Sequence, residues 1–146
     1  MTSFKGTYPS TIDDKRRLKL PKKLRSAMPA SDAPFVMGPG YDGCIFLFPA
    51  DEWEKQEQKL RSLKVDLKEH RFLERVFVPE SEDTRMDDLG RLTVSQRLLD
   101  GAQIKKDVLI LGVLSRIELW APQVYQTYRE RYQESYEDVA ERIFKA

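Results

Sequence analysis

Two stretches of this 146-residue chain are copies of one another. IDDKRRLKLPKKLR (12–25) and MDDLGRLTVSQRLL (86–99) both read apolar, Asp, Asp, two variable residues, Arg, Leu, one variable residue, apolar, three variable residues, Leu, at an offset of 74. Further on, CIFLFPADEW (44–53) is echoed at an offset of 72 by RIELWAPQVY (116–125), which matches Leu47 with Leu119, Phe48 with Trp120 and Trp53 with Tyr125. Ordered repetition of this kind means that one supersecondary unit is built twice. A unit of roughly 45 residues is too small to bury a stable core without a metal, disulfides or a partner. One cysteine, Cys44, and one histidine, His70, exclude an internal disulfide and a four-ligand zinc cluster. Association of the two copies within the chain remains, and they are expected to interleave their hairpins into one body with a pseudo-twofold axis.

Each copy reads as β-β-α-β-β. YPSTI (8–12) and RLKLP (17–21) alternate apolar and polar residues as strands do. Their links, DDKR and DDLG, have turn chemistry, since Asp bonds its own backbone and Gly90 tolerates positive φ. Short helices follow at 21–28 and 95–102, with Pro21 suited to a first helical position and Ser95 to an N-cap. Two further strands close each copy: FVMG with CIFLFP, then VLILGV with IELWA. Between the copies, 51–77 reads as helix, opened by an Asp51–Glu54 capping box. At the end, Tyr125, Tyr128, Tyr132, Tyr136, Val139 and Ile143 recur at helical spacing, an apolar stripe for packing against the domain or a neighbouring subunit.

Charge is distributed unevenly. The net charge is +1, yet residues 1–30 carry +6, and seven of the eleven positions from Lys15 to Arg25 are Lys or Arg. The matching residues of the second copy are nearly neutral. A cationic hairpin has the electrostatic footprint of an anion-binding surface, and a β-ribbon carrying Lys and Arg fits the major groove of double-stranded DNA. Lys15, Arg16 and Arg17 form the tip, where an Arg fork can grip guanine. Lys19, Lys22, Lys23 and Arg25 are expected behind it, on phosphates. Asp13 and Asp87 read as structural, accepting backbone N–H groups across each turn or pairing with Arg17 and Arg91. Should the turn need positive φ at its fourth position, Arg16 there costs on the order of 1 kcal/mol, while Gly90 does not.

Other chemistries find little support. The acidic pairs Asp13–Asp14 and Asp87–Asp88 lie in turns, His70 lies on a charged helix without a nucleophile, and GPGYDG (38–43) lacks the Lys-Ser/Thr of a phosphate loop. No enzyme activity, metal, cofactor or small-molecule substrate is therefore expected. The longest apolar run, around 108–114, falls far short of the ~20 residues that span a bilayer. With a lone cysteine this points to the cytoplasm and to no membrane partner.

The repeated Asp-x-x-x-Arg followed by apolar-x-apolar, the Pro49-x-x-x-Trp53 exit from strand to helix, Phe4-Lys5-Gly6, the EWEKQEQKL stretch and the IELW strand together resemble the MraZ proteins of the SpoVT–AbrB swapped-hairpin superfamily. The first turn departs from the family's usual Asp-x-Lys-Gly-Arg by carrying Arg16 in place of Gly. The resemblance implies an α+β fold with a mainly β core: two AbrB-like units forming an intramolecular pseudo-dimer barrel, with flanking helices. It places the units at 7–54 and 81–124, connecting helices at 55–80 and a C-terminal helix at 125–146. It further implies a nucleoid-associated transcriptional regulator that recognises short direct repeats upstream of the bacterial division and cell-wall gene cluster and assembles as a homo-oligomeric ring. The alternative is an oligomeric scaffold of the same fold whose basic face docks an acidic protein.

Overall fold

A computed structural model describes residues 2–28 and 33–145. The first repeat contributes β1 (Phe4–Thr11), β2 (Arg17–Lys19), α1 (Lys22–Ser26), β3 (Phe35–Pro39) and β4 (Ile45–Phe48). Helices α2 (Ala50–Arg61) and α3 (Lys68–Glu80) follow. The second repeat gives β5 (Glu82–Thr84), β6 (Arg91–Thr93), α4 (Gln96–Gly101), β7 (Asp107–Leu114) and β8 (Arg116–Trp120), and the chain ends in α5 (Pro122–Arg131) and α6 (Tyr136–Phe144).

The strands make a six-stranded antiparallel sheet in the order β1-β7-β8-β4-β3-β5 and a two-stranded ribbon of β2 with β6. Exchanging every strand for its counterpart in the other repeat reverses the sheet order and leaves it unchanged. Strands of different repeats pair at three places, β1 with β7, β3 with β5 and β4 with β8, while β3–β4 and β7–β8 pair within a repeat. In the ribbon Leu18 faces Leu92, the same position of each copy, and in the large sheet Phe46 faces Glu118, again the same position. The barrel expected from the sequence is not closed. β1 and β5 are free edges of the large sheet, and three-residue strands leave β2 and β6 able to pair only with each other, apart from an Ile12–Leu18 bridge.

The large sheet is covered on both faces. Alternate side chains of its central strands point to opposite sides. One set, Met37, Ile45, Leu47, Ile110, Ile117 and Leu119, packs with Leu18, Leu20, Leu92 and Val94 of the ribbon and with Leu24, Leu98 and Leu99 of α1 and α4. The other set, Phe46, Phe48, Leu111 and Trp120, packs with Trp53, Phe77, Tyr125 and Tyr128 from the helices. Burial on both faces is why β4 reads as an unbroken apolar run.

The stretch between the repeats forms two helices, and the C-terminal helix of the sequence reading is broken in two. The first breaks after Ser62, whose hydroxyl donates to Lys59 O at 2.6 Å. Side chains of α3 satisfy the connecting loop: His70 Nδ1 accepts from Lys64 N–H at 3.0 Å and Arg71 donates to Val65 O at 3.0 Å. Folding α3 back stacks Phe77 on Trp53, with ring centroids 6.1 Å apart, a contact one straight rod could not make. The Asp51–Glu54 capping box does not form: Pro49 is the N-cap, and Asp51 instead accepts from Thr2 Oγ1 at 2.9 Å. Pro21 likewise precedes α1 as its N-cap residue. The C-terminal stripe divides at Tyr132–Ser135, where Ser135 Oγ caps α6 by accepting from Asp138 N–H at 3.1 Å. Among the described residues no helix is long and apolar enough to cross a membrane.

Leu92 sits at the meeting point of the repeats and is 1 % exposed. Leu92→Ala is expected to lower unfolding free energy by about 2–5 kcal/mol in urea titration, whereas exposed Leu89→Ala should change it by less than about 0.5 kcal/mol.

Candidate nucleic-acid interface

The two turns that flank the ribbon are built alike. Asp13 Oδ1 accepts the N–H groups of Lys15 at 2.9 Å and Arg17 at 2.8 Å, while Oδ2 accepts from Arg17 Nε at 2.7 Å. In the second copy Asp87 Oδ1 accepts from Leu89 N–H and Arg91 N–H, both at 2.9 Å, and Oδ2 from Arg91 Nε at 2.7 Å. The backbone closes each loop through Asp13 N–H to Arg17 O at 3.1 Å and Asp87 N–H to Arg91 O at 2.9 Å. The Arg17 and Arg91 backbone N–H groups, helped by the guanidiniums of the same residues, hold both carboxyls below the usual range. Partners in this geometry fix the turn and spend the Nε of each Arg inside it.

The fourth turn residue takes positive φ in both copies, +62° at Arg16 and +77° at Gly90. Gly90 has no such cost; Arg16 bears strain of about 1 kcal/mol. Arg16 is held by two bonds across the ribbon: its carbonyl accepts from Val94 N–H at 2.8 Å and its Nε donates to Val94 O at 3.2 Å.

Of the seven cations singled out in the sequence, Lys15, Arg16, Lys19, Lys22 and Lys23 are exposed, and Arg17 and Arg25 are half-buried. They do not form one fingertip with a row behind it. The antiparallel register sets Arg17 opposite Thr93 and Lys19 opposite Arg91. Lys15–Arg17 therefore lie at one end of the ribbon, beside the start of α4. Lys19 and the α1 residues Lys22, Lys23 and Arg25 lie at the other end, beside the second copy's turn, where Leu20 N–H donates to Gly90 O at 3.0 Å. The reason is the swap itself: a three-residue strand paired across repeats delivers the helix after it to the other repeat's turn. The nearly neutral second turn thus gains cationic neighbours from the first copy. None of Lys15, Lys19, Lys22 or Lys23 forms an ion pair with a described residue.

A second charged group escaped the sequence reading. Glu118, 8 % exposed on the outer face of the sheet, accepts from Arg116 and from Trp120 Nε1 at 3.0 Å. The Arg116 guanidinium lies 4.9 Å from the centre of the Phe46 ring. Alternation alone does not distinguish a paired buried acid from a solvated one. GPGYDG is the β3–β4 hairpin turn, closed by Gly40 N–H to Cys44 O at 2.8 Å. Cys44 is buried, and desolvation pushes its thiol up to about 12, so it is not poised as a nucleophile. No cluster among the described residues could hold a metal ion.

A duplicated antiparallel sheet flanked by helices and crossed by a two-stranded ribbon with exposed lysines defines a two-repeat α+β protein. Sequence comparison narrows the class. The family model described as "MraZ protein, putative antitoxin-like" matches residues 3–76 and again 77–146. Relatives named "Transcriptional regulator MraZ" include those of Heliobacterium modesticaldum (36 % identical over 140 residues, 96 % of each chain) and Syntrophomonas wolfei (37 % over 140 residues, 96 % of each). That of Caldanaerobacter subterraneus is 34 % identical over 138 residues, 94 % of each chain. The chain belongs to the MraZ family, which comprises transcriptional regulators and not enzymes.

The two turn carboxyls make a pH prediction. Their pKa values are lower folded than unfolded, so the stability they contribute is complete above the unfolded value of about 3.9 and is lost as pH falls through the folded values. Urea midpoints of the wild type should therefore drop as pH falls below about 3.9. Asp13→Asn/Asp87→Asn should start lower at neutral pH and show a shallower drop in that window.

Proposed function

We propose that the chain regulates transcription by laying the β2–β6 ribbon against double-stranded DNA. The observation that carries the reading is the set of exposed Lys side chains, in no ion pair with a described residue, at the two ends of a ribbon whose turns are fixed by Asp13 and Asp87. The names of the relatives agree with it. Lys15, Lys19, Lys22 and Lys23 neutralise phosphates, and Arg16 and Arg17 offer terminal N–H groups to base edges. The two repeats, 7–54 and 81–124, act as one pseudo-dimeric unit, a reading supported by the sheet order that is the same from both ends. The sites are short direct repeats upstream of the division and cell-wall gene cluster, and the protein works in the cytoplasm at the nucleoid.

Several ribbons on one particle suit repeated sites, because each contact raises the effective concentration of the next. Homo-oligomeric assembly as a ring is supported by apolar side chains left uncovered on α3 and α6, among them Phe72 (70 % exposed), Ile143 (68 %) and Phe144 (84 %).

Gel-shift titrations against salt, on a duplex taken from upstream of that gene cluster, test the DNA contact. Lys15→Ala/Arg16→Gly removes two charges while relaxing the strained φ, so it should bind ~10-fold or more weakly with a log–log salt slope smaller by about 2. Unchanged affinity and slope would refute the ribbon assignment. For assembly, light scattering should give the wild type a mass of many chains. Phe72→Asp/Ile143→Asp should shift it towards a single chain; a wild type already monomeric defeats the ring.

A further inference from the structure

The two repeats differ at positions 16/90 (Arg, Gly) and 25/99 (Arg, Leu), and the structure links these differences. At one end of the ribbon, Arg16 Nε donates to Val94 O at 3.2 Å. At the other end the carbonyl in the same repeat position is Leu20 O, and it accepts from Arg25 Nε at 3.1 Å. Each carbonyl thus receives one arginine Nε, but from non-equivalent residues. Arg25 reaches its place from α1 and lies against Gly90: a Cβ at position 90 would stand 2.8 Å from Arg25 Nη1 and 3.0 Å from its Cζ. The guanidinium of Arg25 occupies the space beside the fourth turn residue that Arg16 fills with its own side chain. Leu99, the counterpart of Arg25, is buried at 3 % exposure and supplies no cation to the first end. The terminal nitrogens of Arg16 and Arg25 donate to no described residue.

We infer that Arg25 is the second arginine finger of the DNA-binding ribbon, equivalent in place to Arg16, and that Gly90, glycine at a φ of +77°, leaves room for it. Two guanidiniums, each anchored through Nε with its terminal N–H groups free, then stand at the two ends of one ribbon. A sequence that loses twofold symmetry keeps it in the placement of charge. The ligand is the same duplex, whose anionic oxygens recur along the groove at both ends of the ribbon. This rests on the DNA-binding reading above.

The test moves the guanidinium. Arg25→Leu should weaken binding to the same duplex ~10-fold and reduce the salt slope by about 1. Arg25→Leu/Gly90→Arg recreates at the second end the Arg16/Leu99 pair of the first, and should restore both values to within ~3-fold and most of the lost slope. Circular dichroism and urea midpoints report folding alongside. Wild-type binding by Arg25→Leu overturns the inference, as does a folded double variant that restores nothing. If the double variant does not fold, Arg25→Lys decides: a retained slope supports the charge at this place, and loss matching Arg25→Leu refutes it. Lys15→Ala/Arg16→Gly separates the two levels. Impaired in that variant but intact in Arg25→Leu, binding sinks only the second finger; intact in both, it sinks the DNA reading.

Discussion

The contact on which the rest depends is Leu18 against Leu92. Three-residue strands cannot stand alone, and here each finds its ladder partner in the other repeat and its apolar cover in a core that both repeats build. The same pairing that stabilises the ribbon sets its register. That register decides which turn lies beside which helix, and so where every cation of the basic stretch is displayed. Folding and the layout of the charged face are one event in this chain.

The rigidity of the face has a local source as well. Asp13 and Asp87 each satisfy two backbone N–H groups and one guanidinium Nε, leaving the turns little freedom. A cation on a fixed turn loses less entropy on meeting a phosphate than one on a loose loop. Arg16 is the point of tension: it accepts a left-handed backbone and recovers part of that cost through its two bonds to Val94. The flanking helices solve a separate problem. They cover the outer face of the sheet with an aromatic layer around Trp53, Phe77, Trp120 and Tyr128, and in doing so leave apolar edges of α3 and α6 in solvent.

Local chemistry made the repeats, the hairpin turns and most strands legible: Asp at the turn start, Gly90 and period-two alternation act over a few residues. Helix breaks were not, because the stripe from Tyr125 to Ile143 keeps the same spacing whether or not the helix bends at Ser135, and because the fold-back of α3 is driven by a Trp53–Phe77 contact 24 residues apart in sequence. Closure of the barrel was overestimated, since strand length decides it and three-residue strands look like longer ones in a pattern. In the basic stretch the residue types pointed to an anion. Their division between two ends of the ribbon depends on cross-repeat register, and the seat of Arg25 on Gly90 joins residues 65 apart, beyond what any motif records.

Glu118 facing Phe46 has its own consequence. The two halves present unlike groups to one another at the middle of the sheet, a carboxylate held by Arg116 and Trp120 on one side and an aromatic ring under that same arginine on the other. Were two second repeats to pair, two Arg116–Glu118 pairs would meet at the middle of the sheet, and neither arginine would have the Phe46 ring to lie against. Were two first repeats to pair, the arginine would be absent and the rings would meet without it. The arginine–ring contact at the very centre therefore needs one half of each kind, which a single polypeptide always supplies.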